Sequence, residues 1–294
     1  MRRLVLIILA LAMLLPSLAQ AYDVLVVVSR REPAFEEVLK GFRANRALSM
    51  RLVVLSDYAE TDIVRIARED RPGLVLALGD SALAAARKIH QTPVVSVMSL
   101  GIHGQHGSYP NLAGIGMYAP PELYLTIFQE MKTRRVGVVH NPAKSGWYLR
   151  QARQAAQRQG IELVVREVNN PRETIERLNS LADHVDAIWM LPDTTAVTRE
   201  TAEAYFRFSQ EKRVPVVSFA GAYLGLGAAA AIEIDRTELG KQAGEMIASM
   251  LKGGEVPGTA AVWPHKTTLK TNQNVLKQLG ITEQLDISNV KHSE

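Results

Sequence analysis

RPGLVLALGDSALAAARKIH, residues 71–90, decides the fold. Pro72 and Gly73 end the segment before them. LVLALG (74–79) then runs apolar without alternation, the pattern of a strand buried on both faces. Asp80 stands where a helix cap belongs, and an alanine-rich segment continues to about His90. One strand feeding one helix in this way is the repeating unit of a parallel sheet.

The same unit recurs on both sides. Upstream, DVLVVVS (23–29) and RLVVLS (51–56) read as strands, with helices at 33–45 and 60–69. Downstream, PVVSVM (93–98) is a fourth strand, followed by the Gly/His loop LGIHGQHGSYPN and a short strand at 112–117. The alternation then restarts. Helices are expected at 120–132, 145–159, 171–182, 197–212 and from Asp235 or Thr237 to about 251, with a short one at 273–279. Strands are expected at 135–140, 161–168, 186–192, 214–220 and 228–234, with weaker ones near 259–263 and 267–270. Two such series predict an α/β protein of two Rossmann-like lobes, each a parallel sheet with helices on both faces. The junction near 117–121 is short, which suits a hinge over a cleft rather than independent beads.

Composition narrows the function. The chain has 294 residues, 47% hydrophobic and 22% charged, within the range of a folded globular protein. It has no cysteine, which removes disulfides, zinc–thiolate sites, a thiol nucleophile and an N-terminal lipidated cysteine. Aromatic residues are only 6%, too few for a broad base-stacking surface. Arg2 and Arg3, then LVLIILALAMLL, then Ala19-Gln20-Ala21 form the pattern of a cleaved export signal at 1–21. Its removal takes two arginines and no acids, so the formal charge falls from +4 to +2, a weak case for an anionic macromolecular partner. The expected location is a bacterial periplasm, with no lipid anchor.

Ligands of open parallel sheets bind beyond the carboxyl ends of the strands. The candidates there are Ser29, Asp80 and Ser81 in the first lobe, and Asn141, Asp193, Thr194, Thr195, Ser218 and Asp235 in the second. Such side chains hydrogen-bond a small polar ligand, and they also cap helices. Phe219, Tyr223, Tyr118 and Trp147 offer an aromatic wall or, alternatively, core and hinge packing. His103-x-x-His106 has a metal-like spacing, but its Gly-rich loop gives no helical face to align two rings. A Ser218/His140/Asp193 triad has no Gly-x-Ser-x-Gly elbow behind it. The glycines at 221–228 have neither the lysine of a phosphate loop nor the spacing of a dinucleotide fingerprint. No metal, cofactor or catalytic residue is expected.

Several segments in order resemble a known family. EPAFEEVLKGF (32–42), VLALGDSALAAA (75–86), NLAGIGM (111–117), RVGVVHNPAKS (135–145), DAIWMLPDTTAV (186–197), VPVVSF (214–219) and LGKQAGEMIASMLKGG (239–254) carry the resemblance. It is to the periplasmic solute-binding proteins of ABC transporters with a type 1 binding fold, and more narrowly to the substrate-binding family linked to uptake of aromatic and other amino acids.

The resemblance implies repeated crossing between lobes: 22–117 with about 236–261 in lobe 1, and 118–235 with about 262–294 in lobe 2. It implies a protein that closes on a small ligand and docks on a permease and its ATPase, meeting the membrane only through them; a monomer is expected, and the export signal in place of a helix-turn-helix domain argues against nucleic-acid binding. In an amino-acid binder of this kind, Asp193 would hold the ammonium, and helix N-termini with hydroxyls the carboxylate. Asp80 departs from the family pattern. An ionised Asp at that turn is expected to cap its own helix and repel a carboxylate, favouring a ligand with a cationic or hydroxyl-rich end. The same fold also serves as a ligand sensor for a membrane receptor or kinase, the alternative function.

Overall fold

The computed structural model describes residues 22–44, 48–105, 109–254, 261–281 and 285–286. The expected export signal and His106 lie outside them. Among the described residues no helix is long and apolar enough to cross a membrane.

Lobe 1 is a five-stranded parallel sheet in the order β2-β1-β3-β4-β5. Its strands are β1 (Val24–Val28), β2 (Met50–Val54), β3 (Leu74–Leu78), β4 (Val94–Val97) and β5 (Leu112–Gly114). All five residues of β1 and of β3 are buried, as the apolar runs predict. Their side chains alternate between two cores. Val24, Val26 and Val28 pack with helix α1 (Pro33–Arg43) and helix α8 (Arg236–Leu251), while Leu25 and Val27 pack with α2 (Ile63–Asp70) and α3 (Asp80–Ala86).

α1 and α8 approach to backbone contact. A Cβ on Gly240 would stand 2.0 Å from the Val38 carbonyl oxygen, and one on Gly41 would stand 1.9 Å from that of Thr237. Only hydrogen at both positions allows the two helices to lie this close.

Lobe 2 has six strands in the order β11-β10-β9-β8-β6-β7. They are β6 (Arg135–His140), β7 (Glu162–Glu167), β8 (Ala187–Trp189), β9 (Val216–Ser218), β10 (Ala230–Ile234) and β11 (Thr267–Thr271). β11 alone is antiparallel, paired with β10. Its helices are α4 (Pro121–Glu130), α5 (Pro142–Arg158), α6 (Thr174–Asn179), α7 (Arg199–Lys212) and α9 (Gln273–Gln278). Trp189, fully buried on β8, is the centre of one core, against the rings of Tyr124, Phe128 and Tyr148.

Several elements differ from expectation. α5 opens at Pro142, not Ser145, because Asn141 caps it through the Ala143 amide and proline suits the first helical turn. The helix expected at 171–182 is shorter and entered through a 3-10 turn at Pro171–Glu173. The glycine-rich stretch after β9 forms a 3-10 helix at Gly221–Leu226. Of the strand expected near 259–263, the described part is a single bridge between Ile115 and Val262. That bridge lies where two inter-lobe segments run side by side. Gln242 of α8 ties the later segment down, its amide donating to the Trp263 carbonyl and accepting from the His265 amide.

In both sheets the strand order reverses beside the first strand of the lobe. In doubly wound sheets that reversal opens a crevice at the carboxyl ends. β1 and β3 supply it in lobe 1, and β6 and β8 in lobe 2.

Candidate functional site

The lobe 1 crevice is built by Gly79 and Ser29. Gly79 has φ +90°, and a Cβ there would meet the Ser29 hydroxyl at 2.6 Å. The Ser29 hydroxyl donates to the Leu78 carbonyl and accepts from the Ala82 amide, so it caps α3 from a neighbouring strand. Asp80, expected to cap that helix, does not. It already occupies the first helical position, so its Oδ1 accepts instead from the Ser99 hydroxyl and the Gly101 amide, across the turn after β4. Oδ2 of Asp80 has no protein donor among the described residues. Ser81 is exposed at the next position of α3.

In lobe 2, Asp193 is buried and saturated. Oδ1 accepts from the Thr195 and Ala196 amides, and Oδ2 from the Asn141 amide and the Ser145 hydroxyl. The Asn141 side chain also donates to the Thr195 hydroxyl. Asp193, Asn141 and Thr195 thus bind the loop after β6 to the loop after β8, and the carboxylate expected to hold a ligand ammonium has four protein donors already. Thr194, between them, is exposed to the cleft. Ser218 is buried, within hydrogen-bond distance of the Ala220 and Ala230 carbonyls. Asp235 caps α8 through the Glu238 amide and pairs with Lys266; the Glu238 amide, ahead of the lysine, holds its carboxyl below the usual range.

The triad drawn from sequence does not assemble: the Ser218 hydroxyl bonds the Ala220 and Ala230 carbonyls, and the hydroxyl beside His140 is that of Ser145. His140 Nδ1 lies 3.1 Å from the Ser145 hydroxyl, which stands between His140 and Asp193 and donates to the carboxylate. A nucleophile needs the opposite order, with its proton facing the imidazole. Burial holds the His140 pKa below its ordinary value, opposed by the Asp193 charge. Among the described residues no group of three His, Asp or Glu converges on a metal position.

The aromatic residues also divide. Phe219 and Tyr223 pack with Phe206 in the lobe 2 core, away from Tyr118 and Trp147. Tyr118, on the segment leaving lobe 1, donates its hydroxyl to the Pro192 carbonyl. Trp147 of α5 carries a stacked ring from the other lobe: His103, with centroids 3.7 Å apart and planes 17° from parallel. His103 belongs to the 3-10 turn Leu100–Gln105 and is also edge-on to Tyr118.

Beside this stack lies an inter-lobe cavity of about 480 Å³. Lobe 1 lines it with Asp80, Arg87 and the Leu100–Gly101 turn. Lobe 2 lines it with Lys144, Trp147, Pro192 and Thr194, and Tyr118 closes the hinge side. Of the site residues expected from sequence, Asp80 and Thr194 meet at this cavity, with Tyr118 and Trp147 of the expected aromatic wall. Arg87 and Lys144 were missed. Arg87 lies seven residues beyond Asp80, two helical turns along the same face, a spacing that would have found it. Lys144 follows Asn141 by three residues, in the first turn of α5.

Two α/β lobes with switch-point crevices meeting across a hinge define a type 1 periplasmic binding fold. The family described as ABC transporter substrate binding protein matches residues 59–293, and the chain belongs to it. No curated protein sequence matches the chain. Solved structures of similar fold include a conserved domain protein from Vibrio cholerae, 22% identical over 90% of this chain and 96% of that one, with a TM-score of 0.62. A Streptococcus pneumonia ABC domain in complex with L-Trp is 18% identical, covering 87% and 94% with a TM-score of 0.62. A ligand-free, open substrate binding protein with adhesive properties from Clostridium difficile is 18% identical, covering 91% and 97% with a TM-score of 0.69.

Proposed function

We propose that this protein is the periplasmic solute receptor of an ABC importer and binds an amino acid or amino-acid-like zwitterion between its lobes. The observation that carries the reading is the charge layout of the cleft cavity, where an acid and a base from lobe 1 face a base and a hydroxyl from lobe 2. Asp80 Oδ2 receives the ligand ammonium. Arg87 and Lys144 receive the carboxylate as charge-assisted hydrogen bonds. This arrangement removes the objection that Asp80 repels a carboxylate, because the two ends of a zwitterion go to different residues. The indole of Trp147 and the ring of Tyr118 border the space left for the side chain. The structural neighbour in complex with L-Trp makes an aromatic amino acid the first ligand to try.

The mechanism follows from the division of the site. Groups from both lobes reach one small ligand only when the lobes approach, so binding favours the closed form by the difference in contacts. The closed form is the one that the permease would read, and a single chain supplies the complete cleft, consistent with a monomer. Export to the periplasm rests on the N-terminal pattern.

A thermal-shift panel of amino acids, sugars, polyamines and nucleosides on the exported protein tests the reading. A ligand at 100 times its Kd stabilises by about 2.7 kcal/mol, a readily seen rise in Tm. A zwitterionic hit that is lost in Asp80→Asn and weakened in Arg87→Gln supports it. A hit confined to sugars or polyamines, or a silent panel on folded protein, overturns the zwitterion assignment.

A further inference from the structure

A second concavity lies at the opposite end of lobe 1 from the cleft, where α2 and α3 run out and the chain turns into β3 and β4. It encloses about 610 Å³. Ala67, Pro72 and Ile89 form a buried floor, and Arg68, Arg71, Lys88 and His90 stand exposed around it. No Asp or Glu lines it. Arg68, Arg71 and Lys88 make no ion pair or side-chain hydrogen bond with any described residue. The neighbouring acids are engaged elsewhere, Glu69 with Arg65 and Asp70 with Arg51.

Helix C-termini attract cations, and two helices end here. Each end supplies about half a negative charge, so the pair offsets about one of the three permanent positive charges. The rest is uncompensated like charge held in one groove, which disfavours the folded state unless an anion enters.

We propose that this groove is a second binding site, for a multiply charged oxyanion of the phosphate type. The planar guanidinium groups of Arg68 and Arg71 suit bidentate contact with two oxygens each, and Lys88 adds a point charge. The apolar floor accommodates an organic portion of a phosphate ester. Every lining residue belongs to lobe 1, so the site keeps its shape whether the cleft is open or closed, and it is independent of the cleft ligand. A soluble phosphate ester and a phospholipid headgroup present the same chemistry.

The test has two arms, both on the exported protein. In the first, inorganic pyrophosphate is titrated while Tm is followed, with ionic strength held constant by sodium chloride. Wild type should show a saturable rise in Tm that chloride does not give, and the triple variant Arg68→Gln, Arg71→Gln, Lys88→Gln should lose it. Lys88→Glu alone, a change at an exposed position, should weaken pyrophosphate binding about tenfold. The triple variant without anion should melt at the same temperature as wild type or higher, since repulsion has been relieved. In the second arm the protein is floated with phosphatidylglycerol or phosphatidylcholine vesicles. Flotation only with phosphatidylglycerol, abolished in the triple variant, assigns the lipid source, and a response to pyrophosphate alone assigns the soluble one. Silence of wild type in both arms, or responses that the variants keep, overturns the proposal.

Discussion

Asp193 and Thr194 are adjacent and do different things. Asp193 accepts four hydrogen bonds that hold two loops together, whereas Thr194 points into the cleft. Asp193→Asn replaces an acceptor oxygen by a donor against the Asn141 amide and Ser145 hydroxyl or their counterparts. It should cost about 2–4 kcal/mol in denaturant unfolding. Thr194→Ala should leave stability within about 0.5 kcal/mol while weakening the cleft ligand several-fold. The reverse pattern would exchange their roles. His140, buried beside Asp193, gives a pH signature. Its folded pKa lies below that of an unfolded histidine, so the unfolded chain binds the proton more readily. Its contribution is present in full above about pH 6.5 and is lost progressively below that value. His140→Gln should therefore flatten the fall in stability between pH 7 and pH 5 by up to about one proton. An unaltered slope would place the titration elsewhere. Sequence reading found the strand-end residues but not which of them face the cleft, because Ser29, Asn141 and Asp193 use the same polar groups for holding loops. Only the direction of a side chain separates the two uses, and residue order does not record it.

At the scale of elements, the alternation of strands and helices was legible because fully buried strands such as LVLAL need continuous apolar runs. Boundaries were less so where caps come from a distance. α3 is capped by Ser29, 53 positions before Ala82, and no local pattern announces that. The contact of α1 with α8 was equally hidden, because Gly41 and Gly240 meet only in three dimensions. Gly240→Ala introduces a Cβ against the Val38 carbonyl, and backbone cannot yield as a flexible side chain can. It should destabilise the protein by about 1–3 kcal/mol or more, and hydrogen exchange should quicken first in α1 and α8. Full protection of both helices in that variant would show that they do not depend on this close approach.

At the scale of the molecule, the two lobes are joined by more than chain crossings. His103 of lobe 1 stacks on Trp147 of lobe 2, beside the cleft cavity. A ring contact of this kind contributes about 0.5–1.5 kcal/mol. His103→Ala should shift the ligand-free protein toward an open form by up to about tenfold in population. Small-angle scattering should then show a larger radius of gyration without ligand and a wild-type value with it. An unchanged ligand-free profile would mean that the stack does not govern closure. The sequence suggested a hinge from the short junction, but the residue that clasps the lobes lay in a Gly/His loop read for its metal-like spacing.

The pairing of α1 with α8 also bears on how the chain acquires its structure. The ion pair from Glu37 to Arg236 spans 199 positions, and the core between α1 and its sheet is incomplete until α8 has been delivered. Closing so long a loop is slow relative to local contacts, and lobe 1 is not finished until most of lobe 2 has been made. A nascent chain ending before 236 lacks Leu239, Ala243 and Ile247 from this core, and the apolar surface left open is a target for chaperones and for aggregation. Late completion of the N-terminal half delays the finished fold of lobe 1 until most of the chain has been made.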